Sequence, residues 1–478
     1  MPVVDVETGA RDIARLIALL DEPAATRIRE AELRGRRELA GRTTLHVNST
    51  ARGGGVAEML YPLIAYARGI GVDVRWAVIG GDTEFFRVTK RIHNWLHGQP
   101  GDGGYLGEVE RMVYERALAG CRDELLARLG HAGIAVLHDP QTAGLIPGLA
   151  DAGVPVIWRC HVGVDQPNEY ARAAWAFLAR YVEQADRVVF SRRQYAWDVV
   201  EPAKRVIIAP SIDPFAPKNQ ELTPATAAAI LAAAGLRDGE AGDDALFERL
   251  DGATGRVTAR ADVDEDQPLT AADRFVLQVS RWDGLKDPIG VIDGFAEHVA
   301  PATDAHLVYA GPDVAAVTDD PEGAQMLAAA REHRAALPSG VRERVHLAML
   351  PMADLEENAA IVNALQRCAS VVVQKSLAEG FGLTVAEAMW KERPVVASRV
   401  GGIADQIEDG VSGVLVGDPR DLAAYGAAVR ALLLDPARAR RIGAAARDRV
   451  AERFLGTHSL IDYLELIEPL LDPERQAA

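Results

Sequence analysis

Two glutamates, Glu379 and Glu387, bracket the segment Gly380-Phe381-Gly382-Leu383-Thr384-Val385-Ala386. Their spacing of eight is about two helical turns at 3.6 residues per turn. The segment follows the apolar run Val371 to Gln374 and opens a helical pattern from Thr384 to Lys391. Glu387 therefore falls inside the helix and Glu379 in the loop before it. Gly380 and Gly382 let backbone amides face a ligand, and the helix N-terminus adds partial positive charge. One carboxylate can then reach a ribose diol and the other a sugar hydroxyl. Upstream, Ser280-Arg281-Trp282-Asp283-Gly284-Leu285-Lys286 follows the β-rich run Phe275 to Val279. In open α/β sheets ligands bind beyond the carboxyl ends of the strands. There an Arg fork and a Lys point charge can converge on a diphosphate. The competing reading is a solvated basic loop.

A third signal, Asn48-Ser49-Thr50-Ala51-Arg52-Gly53-Gly54-Gly55-Val56-Ala57-Glu58, lies between a strand and a helix. The three consecutive glycines suit either an anion at the helix N-terminus or a bare βα turn. The spacing is neither the dinucleotide GxGxxG nor a Walker A loop, because no Gly-Lys-Ser/Thr follows.

Elements able to position these loops alternate along the chain. Strand patterns at Thr44 to Asn48, Val72 to Ile79, Ile134 to His138, Val156 to Arg159, Arg187 to Phe190 and Val206 to Ala209 are separated by helical stretches, as a parallel α/β sheet requires. The alternation resumes at Phe275 to Val279 and runs through His306 to Ala310, Val345 to Ala348, Val371 to Gln374, Pro394 to Ala397 and Gly413 to Val416. Between them, residues 237 to 267 hold ten acidic and four basic residues and read as a solvated insertion or linker. Residues 1 to about 40 read as a charged helical extension. The expected domains are 1–268 and 269–456, each Rossmann-like, and the sequence allows a last helix at about 457–478 to pack back on the first.

Composition narrows the class. The 478 residues exceed one ordinary core, and 49% hydrophobic with 25% charged residues is globular. No apolar run is long enough to span a bilayer, the start Met1-Pro2-Val3-Val4-Asp5 lacks a signal-peptide pattern, and Cys121, Cys160 and Cys368 are too widely spaced for a zinc site or disulfide framework. A cytoplasmic protein is expected. The net charge of −17 argues against nucleic acid or an anionic membrane as partner.

Glu-x7-Glu enclosing Gly-Phe-Gly-Leu resembles the donor motif of the retaining GT-B glycosyltransferases of family GT4. The chain is most similar to their trehalose glycosyltransferring synthase and trehalose phosphorylase branch. The likeness also rests on Val47 to Glu58, Phe85-Phe86-Arg87-Val88-Thr89-Lys90-Arg91-Ile92-His93-Asn94, His138-Asp139-Pro140-Gln141, Trp158-Arg159-Cys160-His161, Ser211-Ile212-Asp213-Pro214 and Asp319-Asp320-Pro321-Glu322-Gly323. It implies an α/β GT-B fold, two Rossmann-like domains facing a central cleft, with an acceptor domain first and a donor domain second. Arg281 and Lys286 would hold a donor diphosphate, Glu387 its ribose and Glu379 the transferred sugar. Gly380, Phe381, Gly382, Leu383 and Thr384 would line the donor, while Gly53, Gly54 and Gly55 form a substrate loop. His161 would sit beside the reacting sugar, and His93, Asn94, Asp139 and Gln141 would meet the acceptor. A lone His is more often structural, and Asp139 can equally cap the helix after Pro140.

The implied reaction moves glucose from a nucleoside diphosphate-glucose to glucose, giving trehalose, through same-face substitution in a closed, water-poor cleft. No cofactor or metal is required, Mg²⁺ accompanying the donor being compatible, and a homodimer is expected. Two other readings keep the fold: a different small sugar or polyol acceptor in natural-product assembly, or phosphorolysis of trehalose. A Rossmann dehydrogenase is disfavoured because its fingerprint is lacking here, and intact Arg281, Lys286 and Glu379 argue against a catalytically silent sugar-nucleotide sensor. The nucleobase is not readable, although residues 350 to 354 are where it would lie. Departures cluster on the acceptor side. Val162-Gly163 stands where the trehalose-forming proteins usually continue Ile-Asp, His97 replaces a Gln before Gly98, and Asp283-Gly284-Leu285 lacks a Pro-Trp pair.

Overall fold

The computed structural model describes residues 3–51, 55–240, 242–314 and 321–471. The chain forms two compact units, Met1–Ser211 with Leu455–Ala478, and Ile212–Phe454. Gly53, Gly54, Asp319 and Asp320 lie outside the described residues.

The first unit is built on strands β1 (Val3–Asp5), β2 (Thr43–Asn48), β3 (Asp73–Ile79), β4 (Ile134–His138), β5 (Val156–Cys160), β6 (Arg187–Phe190) and β7 (Arg205–Ile207), in the order β1-β3-β2-β4-β5-β6-β7. All neighbours pair parallel except β1, which runs antiparallel to β3. Every residue of β4 and β5 is buried, as expected where helices cover both faces of a parallel sheet. The helical extension expected over residues 1 to about 40 is thus only partly helical. Its first described residues, Val3–Asp5, are an edge strand, and the helix Glu22–Glu38 starts at Asp21, whose carboxylate accepts from Ala24 N at 2.9 Å. Three residues paired on one side carry no periodicity to read. The helix Gly456–Ile467 packs on the helices Glu22–Glu38 and Gly55–Gly69 of this unit.

The second unit carries β8 (Leu246–Glu248), β9 (Thr254–Arg256), β10 (Asp262–Asp264), β11 (Phe275–Val279), β12 (His306–Pro312), β13 (Val345–Leu350), β14 (Val371–Gln374), β15 (Val395–Ser398) and β16 (Val414–Val416). Its main sheet is ordered β10-β13-β12-β11-β14-β15-β16, and β8 and β9 form a separate hairpin. Two expectations are corrected here. The boundary expected at 268/269 falls instead between Ser211 and Ile212, so residues 212–268 belong to the second unit. The acidic stretch 237–267 is not a linker: β10 extends the sheet antiparallel to β13. Three of its acids, Asp264, Glu265 and Asp266, pair with other elements. Asp264 pairs with Arg331 at 2.6 Å, Asp266 with Arg334 and Arg342 at 2.8 Å each, and Glu265 with His346 at 2.7 Å. Counting charges by sequence cannot see partners that lie some 70 to 80 residues downstream.

Both sheets reverse direction once. After β2 the chain adds β3 on one side and β4 on the other, and after β11 it builds β12 and β13 before returning to place β14 on the opposite flank. Strand-order reversals of this kind open a crevice at the carboxyl ends of the two central strands. Among the described residues no helix is long and apolar enough to cross a membrane.

Candidate active site

In the second unit, β11 and β14 are parallel neighbours, so the loops leaving their carboxyl ends meet although they lie some 90 residues apart in sequence. Lys286 Nζ donates to both carboxylate oxygens of Glu379, at 2.7 and 2.6 Å, with both side chains largely buried. The two loops are pinned together from below. Leu377 N donates to Leu285 O at 2.8 Å, and Gln278 bridges them, its amide donating to Lys286 O at 2.9 Å while its carbonyl accepts from Lys375 N at 3.0 Å. Lys375 in turn pairs with Asp287, which has φ +50° and caps the helix Pro288–His298. Trp282 is buried and stacks on Tyr309 with ring centroids 4.9 Å apart, fixing the root of the loop. Arg281 points away from that packing, 64% exposed and paired with Asp283 at 2.9 Å.

Gly382 stands at φ +81° and is the N-cap of the helix Leu383–Trp390. A Cβ here would lie 3.1 Å from Glu379 Cγ and 3.0 Å from Ile403. Glycine thus serves both the left-handed turn and the close approach of Glu379. Gly402 from the next loop donates to Gly380 O at 2.9 Å, and a Cβ on it would strike Phe381. Thr384 is held by Gln374 at 3.0 Å. Glu387 lies in the helix, buried, with Lys218 Nζ 3.7 Å away and with its carbonyl accepting from Lys391 Nζ at 3.0 Å. Arg281, Lys286, Glu379, Gly380, Phe381, Gly382, Leu383, Thr384 and Glu387 are thereby gathered on the loops and helix that follow β11 and β14.

In the first unit His161 follows β5 directly and is half-buried. It is not a lone histidine. Its Nε2 lies 3.0 Å from His138 Nδ1, and His138 Nε2 lies 3.0 Å from His46 Nδ1. The rings lie nearly in one plane, edge to edge along these links, with centroids 5.3 Å apart in each pair. Burial first, and the Arg159 guanidinium second, holds His46 down to about 3 and keeps His161 neutral. His138 is likewise held neutral, by burial and then by its ring neighbours and Arg159. Arg159 is fully buried and donates to Tyr463 OH at 2.7 Å and Ile208 O at 3.2 Å. His46 and His138 are the residues missed from the sequence. Their signal was a histidine on each of three adjacent strand ends.

Asp139 has φ +64° and its carboxylate accepts from His161 N at 2.8 Å, so it holds the His161 backbone rather than capping the helix behind Pro140. Burial pushes its carboxyl up to about 7, against the His161 N–H and Arg159, which pull it down. An unfolded Asp titrates near 3.9, so the folded state binds more protons between about pH 4 and 7. Asp139's contribution to stability is therefore fully present below about pH 4 and is lost as pH rises through 7. Asp139→Asn, which keeps an acceptor for His161 N, should gain stability relative to the parent as pH rises from 4 to 7 and then level off. Denaturant titrations of both proteins across that range check this; a difference that stays flat with pH refutes it.

The remaining expected residues lie nearby in the same unit or are unremarkable. Gln141 is half-buried on the short helix Asp139–Thr142, against which the helix Thr83–Leu96 packs. That longer helix carries His93 and Asn94. His93 meets His97 edge to face at 4.9 Å, and Asn94 O accepts from the backbone of His97 and Gln99. Gly55 opens the helix Gly55–Gly69. Among the described residues no group of three or more His, Cys, Asp or Glu side chains could hold a metal ion.

Residues 46–197 match the family described as trehalose synthase, N-terminal domain, and residues 260–449 the glycosyl transferases group 1. A trehalose synthase of Pyrococcus horikoshii is 33% identical over 98% of this chain and 99% of its own length. One from Rubrobacter xylanophilus is 36% identical over 92% of this chain and 93% of its own. Among solved structures, an α,α-trehalose-phosphate synthase (UDP-forming) from Burkholderia vietnamiensis superposes with a TM-score of 0.64 at 15% identity, covering 90% of this chain and 98% of that one, a likeness of fold. Two parallel-sheet units of this kind are the GT-B fold, and the chain belongs to the trehalose synthase family of group 1, GT4-type, glycosyltransferases and is a hexosyltransferase.

Proposed function

We propose that the protein transfers glucose from a nucleoside diphosphate-glucose to glucose, with retention of the α configuration, giving trehalose. The observation that carries the donor half is the Lys286–Glu379 pair, set between the paired loops of β11 and β14 and in front of the Gly382 helix N-terminus. A carboxylate that orients the sugar and an ammonium that faces its diphosphate are held in one fixed unit. As the bond from sugar C1 to the diphosphate oxygen breaks, negative charge grows on the leaving group. Lys286, Arg281 and the amides around Leu383 are suited to stabilise it. The acceptor hydroxyl oxygen bonds to C1 from the same face, and its proton passes to the departing phosphate oxygen. His161, with Asp139 behind its backbone, would present a neutral imidazole to the transferred sugar. Full-length similarity to trehalose synthases supports glucose as acceptor.

One observation favours a variation. Gly163 lies against the ring of buried Tyr195, so the wall after His161 differs from the Ile-Asp pattern, which would keep the donor chemistry and change the acceptor. Uridine, adenosine and guanosine diphosphate-glucose, each offered with glucose and with a panel of small sugars and polyols, separate the two. Anomeric proton NMR of fresh product should show an α,α linkage, with trehalose the dominant product. A β linkage would defeat retention. Turnover supported by trehalose and inorganic phosphate, but by no nucleoside diphosphate, would replace the transferase reading with phosphorolysis.

A further inference from the structure

The three linked histidines follow from strand register. His46 on β2 pairs with Val136, two residues before His138 on β4, and His138 pairs with Arg159, two residues before His161. A step of two keeps side chains on one face of a sheet. Each ring therefore sits one pleat further toward the carboxyl end than its neighbour, and the row climbs diagonally across three parallel strands to His161. The two hydrogen bonds of 3.0 Å are links between neutral rings, since burial and Arg159 disfavour an imidazolium.

A neutral imidazole carries one proton, with one nitrogen donating and the other accepting. Only two arrangements then satisfy both links. In one, His46 Nδ1–H donates to His138 Nε2, His138 Nδ1–H donates to His161 Nε2, and His161 Nδ1 is left carrying a proton. In the other, every proton sits on Nε2, both links run in reverse, and His161 Nδ1 is a bare acceptor. The tautomer is thus shared by all three rings, and a choice made at His46 is read out at His161.

We propose that His46 and His138 are positioning residues for the transferase reaction, fixing through two imidazole–imidazole hydrogen bonds both the ring orientation of His161 and whether its Nδ1 donates to or accepts from the transferred sugar. This rests on the reading that places His161 beside that sugar. Tautomer control by a second hydrogen-bonding partner is a general property of functional histidines. Here the partner is itself a histidine controlled by another.

Nitrogen-15 NMR of the ligand-free protein labelled in its histidine rings reports the tautomer without any substrate. His46, His138 and His161 should share one neutral tautomer; a mixed set, or an imidazolium among them, overturns the proposal. His46→Phe keeps an aromatic ring at this position but offers no nitrogen. It should leave His161 as a mixture of tautomers and lower kcat/KM by about 10- to 100-fold, mainly in kcat, as expected for a misplaced reacting group. His46→Asn, whose amide can donate where Nδ1 stood, should recover most of that loss. An unchanged His161 spectrum and activity in His46→Phe overturns the positioning role, as does a loss that His46→Asn does not relieve. His161→Ala separates the two layers. If it is crippled while His46→Phe is not, the relay fails; if it is fully active, the site reading beneath the relay fails.

Discussion

Lys286→Ala should lower kcat/KM by about 100-fold, roughly 2.7 kcal/mol of transition-state stabilisation, with most of the loss in kcat. The ammonium sits 2.6 and 2.7 Å from the Glu379 oxygens, so on the proposed reading its removal would take away both the charge meant for the leaving group and the clamp on the carboxylate proposed to orient the sugar. Arg281→Ala should cost a comparable factor by a different route. Its guanidinium is 64% exposed and pairs with Asp283 at the surface, so the variant should melt with the parent. Steady-state kinetics paired with thermal melts check both. Near-normal turnover in either variant would remove that residue from the diphosphate site, whereas a matching loss of stability would make it structural. Glu379→Gln is the informative companion, since it keeps a hydrogen-bond acceptor for Lys286 while deleting the charge. If Lys286 serves the diphosphate directly, this variant should lose less than Lys286→Ala.

The parts of this protein legible in sequence were those whose cause is local. Gly382 announced a turn before a helix because glycine adopts φ +81° without strain, and the alternation of apolar runs announced two parallel sheets. The placement of Arg281, Lys286 and Glu379 on loops that follow strands was readable because ligand loops in such sheets leave the carboxyl ends of the strands, whereas the contact of Lys286 with Glu379 was not. Register was not legible. The alignment of His46 with Val136 and of His138 with Arg159 is set by pairing across strands some 90 and 20 residues apart, and it alone turns three separate histidines into one hydrogen-bonded row. The same blindness hid the partners of Asp264, Glu265 and Asp266. Arg331, Arg334 and Arg342, which neutralise Asp264 and Asp266, come from elements that follow β12. Edge strand β1 was invisible for the opposite reason, being too short to show any pattern.

Gly163→Asp, which places an acid where the resemblance to trehalose-forming proteins implies one, should destabilise this protein rather than improve it. A Cβ at residue 163 would stand 2.3 Å from Tyr195 Cγ and 2.6 Å from its Cβ, and Tyr195 is 1% exposed. The near atoms are the root of the ring, which cannot swing aside as a flexible chain end could. Overpacking of this kind costs typically about 1–3 kcal/mol, and a carboxylate buried without a partner adds to it. Gly163→Ala isolates the first contribution and should lower the melting temperature by several degrees, on the usual scale of about 2–4 °C per kcal/mol for a domain of this size. Tyr195→Ala alone leaves a cavity and is destabilising too. The decisive measurement is the double variant. Because one substitution makes the clash and the other vacates the space, their costs should be clearly less than additive. Full additivity would mean that the glycine is not held by Tyr195. Should Gly163→Asp with Tyr195→Ala fold and turn over glucose faster than Tyr195→Ala alone, the packing at this position would be what separates this chain's acceptor pocket from that of its relatives.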